Sequence, residues 1–138
     1  MISLEMAQQL RDTGLVWQPT KNDFFALPER NLDQHIFVVS ELTALIEHYN
    51  RELVVTFHGS SEWALDYVLI TDAVWLPTET QLRQALAQLI GDDAPLRLER
   101  TISGYCCQIA SIDQMIEFRA PDGETAYALA ILYILQHT

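Results

Sequence analysis

Apolar and polar positions change period several times along this chain, and each change marks an element. Ile2, Met6 and Leu10 recur four apart and make one stripe of a helix over residues 3–13, with Gly14 as its left-handed stop. Trp17 to Asp23 reads as extended chain and turn, since Pro19 biases its predecessor toward extended angles and Asn22-Asp23 suit a bend. Phe24–Leu27 is then a short strand, residues 28–34 a polar turn, and residues 35–39 a more β-branched strand that pairs back as a hairpin. Leu42, Leu45, Ile46 and Tyr49 keep helical spacing between a Ser40 cap and an Asn50 terminus, which predicts a second helix. Residues 53–57 form a clear strand, broken by Gly59-Ser60-Ser61. Trp63, Tyr67 and Ile70 then predict a third helix over residues 62–70, although Val68-Leu69-Ile70 also has strand character.

The second half has sharper punctuation. After Val74-Trp75-Leu76-Pro77, Thr78 and Gln81 stand at capping-box spacing, each side chain able to satisfy an amide that the first helical turn leaves free. Leu82, Ala85, Leu86, Leu89 and Ile90 then line one helical face until Gly91. Residues 92–95 turn the chain. Leu96, Leu98, Arg100 and Ile102 alternate with Arg97, Glu99 and Thr101 as in a half-buried strand, and Ser103-Gly104 predicts a two-residue hairpin turn. Residues 105–110 return as the partner strand, and residues 115–119 follow as a third, with Ile116 and Phe118 on one face. Pro121-Asp122-Gly123-Glu124 opens a last helix, Asp122 as cap and Glu124 complementing the positive helix end. Its body, residues 126–135, is apolar on nearly every side and must be covered twice.

The pattern as a whole predicts an α+β fold: helix, three-strand meander, helix in the second half, and in the first half three helices with three shorter strands, the antiparallel sheet covered by helices. No linker, low-complexity tract or fixed-period repeat divides the chain, so residues 1–138 read as one domain with sub-modules 1–76 and 77–138. With 138 residues, the folded chain hides roughly two thirds of the surface its unfolded form exposes, enough for a core without staples. Eight basic against nineteen acidic side chains leave a net charge of −11, which repels phosphate backbones and argues against nucleic acid as a partner. No apolar run approaches the ~18 residues of a membrane span, and the opening residues lack the basic region of a signal peptide, so a soluble, cytoplasmic protein is expected.

The reactive side chains are scattered. Cys106 and Cys107 are adjacent, so on a strand they point to opposite faces; one buried and one partly exposed structural thiol are expected, with no disulfide and no zinc site. His35, His48, His58 and His137 fall in separate predicted elements and no H-E-x-x-H occurs, so neither a metal nor another cofactor is expected. Phosphate-binding glycine loops are missing too, and the sole lysine, Lys21, lies in a polar turn. Asp92-Asp93 solvates a loop. The run Val54 to Ser61, a strand delivering His58-Gly59 into a turn, resembles the oxyanion-hole segment of α/β-hydrolases, and His58, Ser60 and Asp66 are the candidates for such catalysis. A G-x-S-x-G elbow, the usual source of the nucleophile, does not occur; the plainer reading has Gly59 make the turn and Ser60 cap a helix. Of Trp17, Trp63 and Trp75, at least two are expected in the core, and without cationic neighbours they make a poor stacking platform for bases.

Two stretches, Trp63-Ala64-Leu65-Asp66-Tyr67 and Val74-Trp75-Leu76-Pro77-Thr78-Glu79-Thr80-Gln81-Leu82, carry a resemblance. With the opening Leu4 to Leu10 helix, Asp23-Phe24-Phe25-Ala26-Leu27-Pro28 and Thr56-Phe57-His58-Gly59, they are similar to a group of small bacterial proteins sometimes labelled as pilus-assembly proteins. The second half is also similar in layout to short phage-type proteins with a Pro-Thr helix start, a small meander and an Ala-rich last helix. Pilus-assembly ATPases carry a phosphate loop that this chain lacks, so the resemblance does not extend to that activity and bears on the fold rather than on mechanism.

The leading expectation is therefore a non-enzymatic interaction or accessory protein with a protein partner. A homodimer is the first candidate: if residues 124–135 of the doubly apolar last helix are not all covered within one subunit, a second copy hides the surplus face. Trp75, Tyr127, Ile131 and Tyr133 are its expected contact residues. A small hydrolase using the His58 turn, and an acidic mimic of nucleic acid, are the alternatives.

Overall fold

The computed structural model describes residues 1–28, 32–39, 44–49, 52–57, 67–111 and 113–138. Its fold is α+β, with every strand pair antiparallel. The chain forms two compact units, one of Met1–Leu15 with Pro77–Thr138 and one of Val16–Leu76. The boundary between 76 and 77 coincides with the expected sub-module border, but the first helix goes with the C-terminal residues.

In the unit of Met1–Leu15 and Pro77–Thr138, three capped helices and a meander share one core. Helix α1 (Leu4–Thr13) starts at Ser3, whose Oγ accepts from the Met6 amide at 3.1 Å, and ends at Gly14. Helix α2 (Glu79–Ile90) opens with the complete capping box: the Gln81 amide donates to Thr78 Oγ1 at 3.3 Å and the Thr78 amide to Gln81 Oε1 at 2.9 Å. Helix α3 (Gly123–Gln136) opens at Asp122, whose Oδ1 accepts from the Thr125 amide at 2.7 Å. Strands β7 (Leu96–Thr101), β8 (Gly104–Ser111) and β9 (Gln114–Ala120) form a sheet in that order. Strands β1 to β6 belong to the other unit.

Helix α3 packs against α1, α2, β8 and β9. Alanines 126, 128 and 130 are buried along it together with Tyr127, Ile131 and Leu132, so small side chains let neighbours approach closely on several sides. Leu82 and Leu86 of α2, Leu10 of α1 and Ile109 of β8 complete the core at 0–1% exposure. Leu89, expected on the same face as Leu86, is 39% exposed: the buried stripe of α2 is narrower than its apolar pattern.

In the unit of Val16–Leu76, strands β1 (Phe24–Leu27), β2 (Leu32–Val38) and β6 (Val74–Leu76) form one sheet in the order β2-β1-β6. The expected hairpin of β1 and β2 is present, but β2 begins at Leu32, inside the segment read as turn, because Leu32 pairs with Leu27 across a shift in register. Asp23 holds the entry to β1. Its buried Oδ2 accepts from Trp17 Nε1 at 2.9 Å and from the Thr20 amide at 3.0 Å, and its carbonyl accepts from the Val39 amide at 2.9 Å. Trp17 in turn lies 5.6 Å from Phe25, which stacks on Phe37 at 5.5 Å.

A second sheet, in the order β3 (Ala44–Tyr49), β4 (Glu52–Phe57), β5 (Tyr67–Leu69), replaces two expected helices. Leu45, Ile46 and Tyr49 lie on β3, in register with β4 from Ala44↔Phe57 to Tyr49↔Glu52. An apolar run this short satisfies the helical and the strand period alike, and the neighbouring strand supplies the ladder that decides between them. Residues 67–69 likewise pair with β4, and a short 3-10 turn follows at Ile70–Asp72. The expected Ser40 cap, Leu42, the Asn50 terminus and residues 62–66 lie outside the described residues.

The β7–β8 turn also moves. Thr101 pairs with Gly104, so Ile102-Ser103 is the connection and Gly104 already belongs to β8. Gly104 has φ +136°, and a methyl group there would stand 2.5 Å from the Ala120 carbonyl oxygen. Gly104→Ala is expected to lower stability by roughly 1–3 kcal/mol from strain and crowding together. Thr78→Ala is expected to cost about 1 kcal/mol by leaving the α2 amides uncapped. Leu86→Ala should cost roughly 2–5 kcal/mol by opening a cavity. Chemical denaturation of the three variants against wild type checks all three values.

Candidate functional site

The two faces of the β7-β8-β9 sheet are chemically distinct. On one, the register rows are Leu96, Ile109, Ile116, then Leu98, Cys107, Phe118, then Arg100, Tyr105, Ala120. This face meets the helices: Phe118 lies 5.6 Å from Tyr133 of α3, and a methyl group at Gly123 would come within 3.0 Å of Leu98 and 3.4 Å of the Glu79 carboxyl. A glycine at the start of α3 is what lets β7 and the first turn of α2 approach it.

The opposite face is a ladder of charge, with rows Arg97, Gln108, Glu117 and Glu99, Cys106, Arg119. Glu117 is its best-connected member. Gln108 Nε2 donates to Oε1 and Arg119 Nη2 to Oε2, each at 2.9 Å, and these hydrogen bonds, with the Arg119 charge, hold its carboxyl below the usual range. Arg97 and Glu99 stand 3.9 Å apart on β7, both well exposed. Such an open pair contributes little to stability.

Cys106 and Cys107 lie on opposite faces as expected, yet both are free and buried, at 2% and 0% exposure. Cys106, expected to be partly exposed, is flanked in register by the longer Glu99 and Arg119 on the same face, and side chains with aliphatic stems of that length can shield a small one between them. Burial, and secondarily Cys106, push the Cys107 thiol up to about 11. Tyr127 is also raised, by burial first and then by Cys107 and Glu79, with Arg83 opposing. Both shifts favour the neutral forms of Cys107 and Tyr127, and a thiol raised in this way is far from the poise of a nucleophile at neutral pH.

The described residues singled out in the sequence lie on separate elements. His58, Ser60, Asp66 and Trp63 lie outside the described residues. His35 falls in β2, His48 in β3, and His137 just past α3, where it stacks on Tyr133 at 4.2 Å with Nδ1 2.8 Å from the Tyr133 carbonyl oxygen. Among the described residues, no group of three or more His, Cys, Asp or Glu could hold a metal ion. Asp92 and Asp93 are exposed in the turn after α2. Trp17 and Trp75 are only half-buried, not core as expected, and the Trp75 indole N–H is buried without an acceptor.

Of the expected contact residues, Tyr127 and Ile131 are covered within the chain by the packing around α3, at 4% and 0% exposure, so neither is on a surface a partner reaches. Tyr133 and Trp75 are half-buried. The exposed apolar side chains are elsewhere. Ile102 at the β7–β8 turn is 108% exposed, Met115 on β9 51% and Leu89 at the end of α2 39%. Ile102 was hidden from sequence reading by a turn placed one residue too late, which made it the inner residue of a strand. No protein-family model, curated protein or solved structure matches the chain. Among the described residues, no helix is long and apolar enough to cross a membrane.

The buried thiols predict a pH response. Below about 9 the unfolded and folded thiols are both protonated. From about 9 to about 11 the unfolded Cys107 loses its proton while the folded one keeps it, so stability should fall across that window. Denaturation midpoints between pH 8 and 11 should decline, and Cys107→Ala should flatten the decline. In the same experiment neither cysteine of the native protein should react with a thiol reagent at neutral pH, and both should react once unfolded.

Proposed function

We propose that this chain is a non-enzymatic protein-interaction module, an accessory component that works by presenting strand edges and isolated apolar side chains to a protein partner. The observation that carries the reading is Ile102. It is a fully exposed isoleucine on a two-residue turn, at the end of a sheet whose edge strands β7 and β9 have no further described strand beside them, and there it can give a partner an apolar contact next to open backbone. An accessory role also fits the resemblance to small bacterial proteins carried under a pilus-assembly label. The net charge of −11 favours partners with basic surfaces.

The test is affinity capture of the tagged chain from its native cell, quantified beside an Ile102→Asp variant that melts like wild type. A stoichiometric companion that is captured by wild type and lost by the variant is expected. Equal capture by both, or no stoichiometric companion, overturns the reading. A screen of ester and phosphoester substrates runs alongside: turnover above background that disappears in His58→Ala would replace the module with a hydrolase.

A further inference from the structure

We propose that the free edge of β7 receives β7 of a second copy of this chain, antiparallel, about a two-fold axis through Leu98. The inference rests on the interaction-module reading and names one partner for it.

Strand β7 pairs with β8 on one side, and no described strand lies on the other, so one row of its backbone N–H and C=O groups faces outward without a strand partner. A second copy of the same strand can bond to that row only in registers that keep like faces together, because a one-residue slip would set the charged face of one copy beside the apolar face of the other. Three registers near the centre of the strand satisfy this. Centred on Arg97, the pairing sets Arg97 against Arg97 of the other copy; centred on Glu99, it sets Glu99 against Glu99. Centred on Leu98, it sets Arg97 of each copy opposite Glu99 of the other, Leu98 opposite Leu98, and Leu96 opposite the aliphatic stem of Arg100. Like charges directly opposite oppose pairing and unlike charges favour it, so charge selects the Leu98 register.

Two further features favour this edge. Leu96–Thr101 holds two arginines and one glutamate in a chain whose net charge is −11, so it is a place where a second acidic copy meets least repulsion. In the Leu98 register, the turn that carries Ile102 in each copy falls at the Ala94-Pro95 end of the other, which puts apolar side chains near the fully exposed isoleucine. The half-buried Leu96 and Leu98 gain cover as well. Strand β9 has a similar Glu117-x-Arg119 pattern, but both Glu117 oxygens are already engaged at 2.9 Å by Gln108 and Arg119. The Arg97–Glu99 pair, at 3.9 Å and well exposed, is free to exchange partners.

A six-residue edge contact is small, so self-association in the micromolar range is expected. Sedimentation equilibrium of the full chain over roughly 1–200 µM should show a dimer whose share grows with concentration. Arg97→Glu and Glu99→Arg, each with an unchanged circular dichroism spectrum, should loosen the dimer about tenfold or more, since each puts like charges together twice. An equimolar mixture of the two variants should regain the affinity of wild type, because every opposed pair is then of unlike sign; this also shows that both variants fold. A wild type that stays monomeric, single variants that dimerise as wild type does, or a mixture that fails to regain dimer each overturn the β7 pairing. A monomeric wild type that still loses a companion on Ile102→Asp leaves the interaction reading standing and removes only the second copy.

Discussion

A helix apolar on every side cannot be stable at a surface, and α3 imposes that constraint on everything around it. One neighbour would leave half of it in water. The unit of Met1–Leu15 and Pro77–Thr138 answers with α1, α2, β8 and β9 all packed on α3. The alanines at 126, 128 and 130 let these elements come close, and Gly123 does the same at the helix start, where a methyl group would press on the Leu98 side chain at 3.0 Å. The side of β8 and β9 turned away from α3 is then free to carry charge.

The same packing moves the surface available to partners. A helix with too many apolar faces looked, from its sequence, like a dimer interface; enclosed by its own chain, it offers Tyr127 and Ile131 to nothing outside. Two of the apolar groups left in water, Ile102 and Met115, sit at a strand turn and on an edge strand, where backbone bonding and side-chain contact can act together. A surface of that kind recognises extended chain more readily than a groove or a flat patch does.

What was legible in the sequence was local chemistry. The Thr78–Gln81 box, the Asp122 cap, the Gly14 stop and the alternation from Leu96 to Thr101 all involve residues within a few positions of one another, and all formed as read. The misreadings concern choices that distant partners make. Leu45, Ile46 and Tyr49 fit helix and strand equally until β4 lies alongside. Leu32 joins a strand because Leu27 is opposite it, and Ile102 leaves one because Thr101 closes on Gly104. The burial of Cys106 depends on cross-strand neighbours of greater length, which spacing along its own strand does not reveal. The candidate surface was legible in part: the alternation of Arg97 and Glu99 is plain in the sequence, but that β7 lies at an edge is a fact of strand order.

Helix α1 belongs with residues at the other end of the chain, and this shapes how the protein is made. As the polypeptide leaves the ribosome, Leu10 and Ala7 emerge early, while α3, against which α1 packs, is translated only after the whole stretch between them. The residues from Val16 to Leu76 can compact in the meantime, but α1 must travel with an oily stripe uncovered until α3 has been made. Closing that long loop late makes assembly of the α3 core slow relative to a fold built from neighbours. It also opens an interval in which a chaperone can hold the nascent chain.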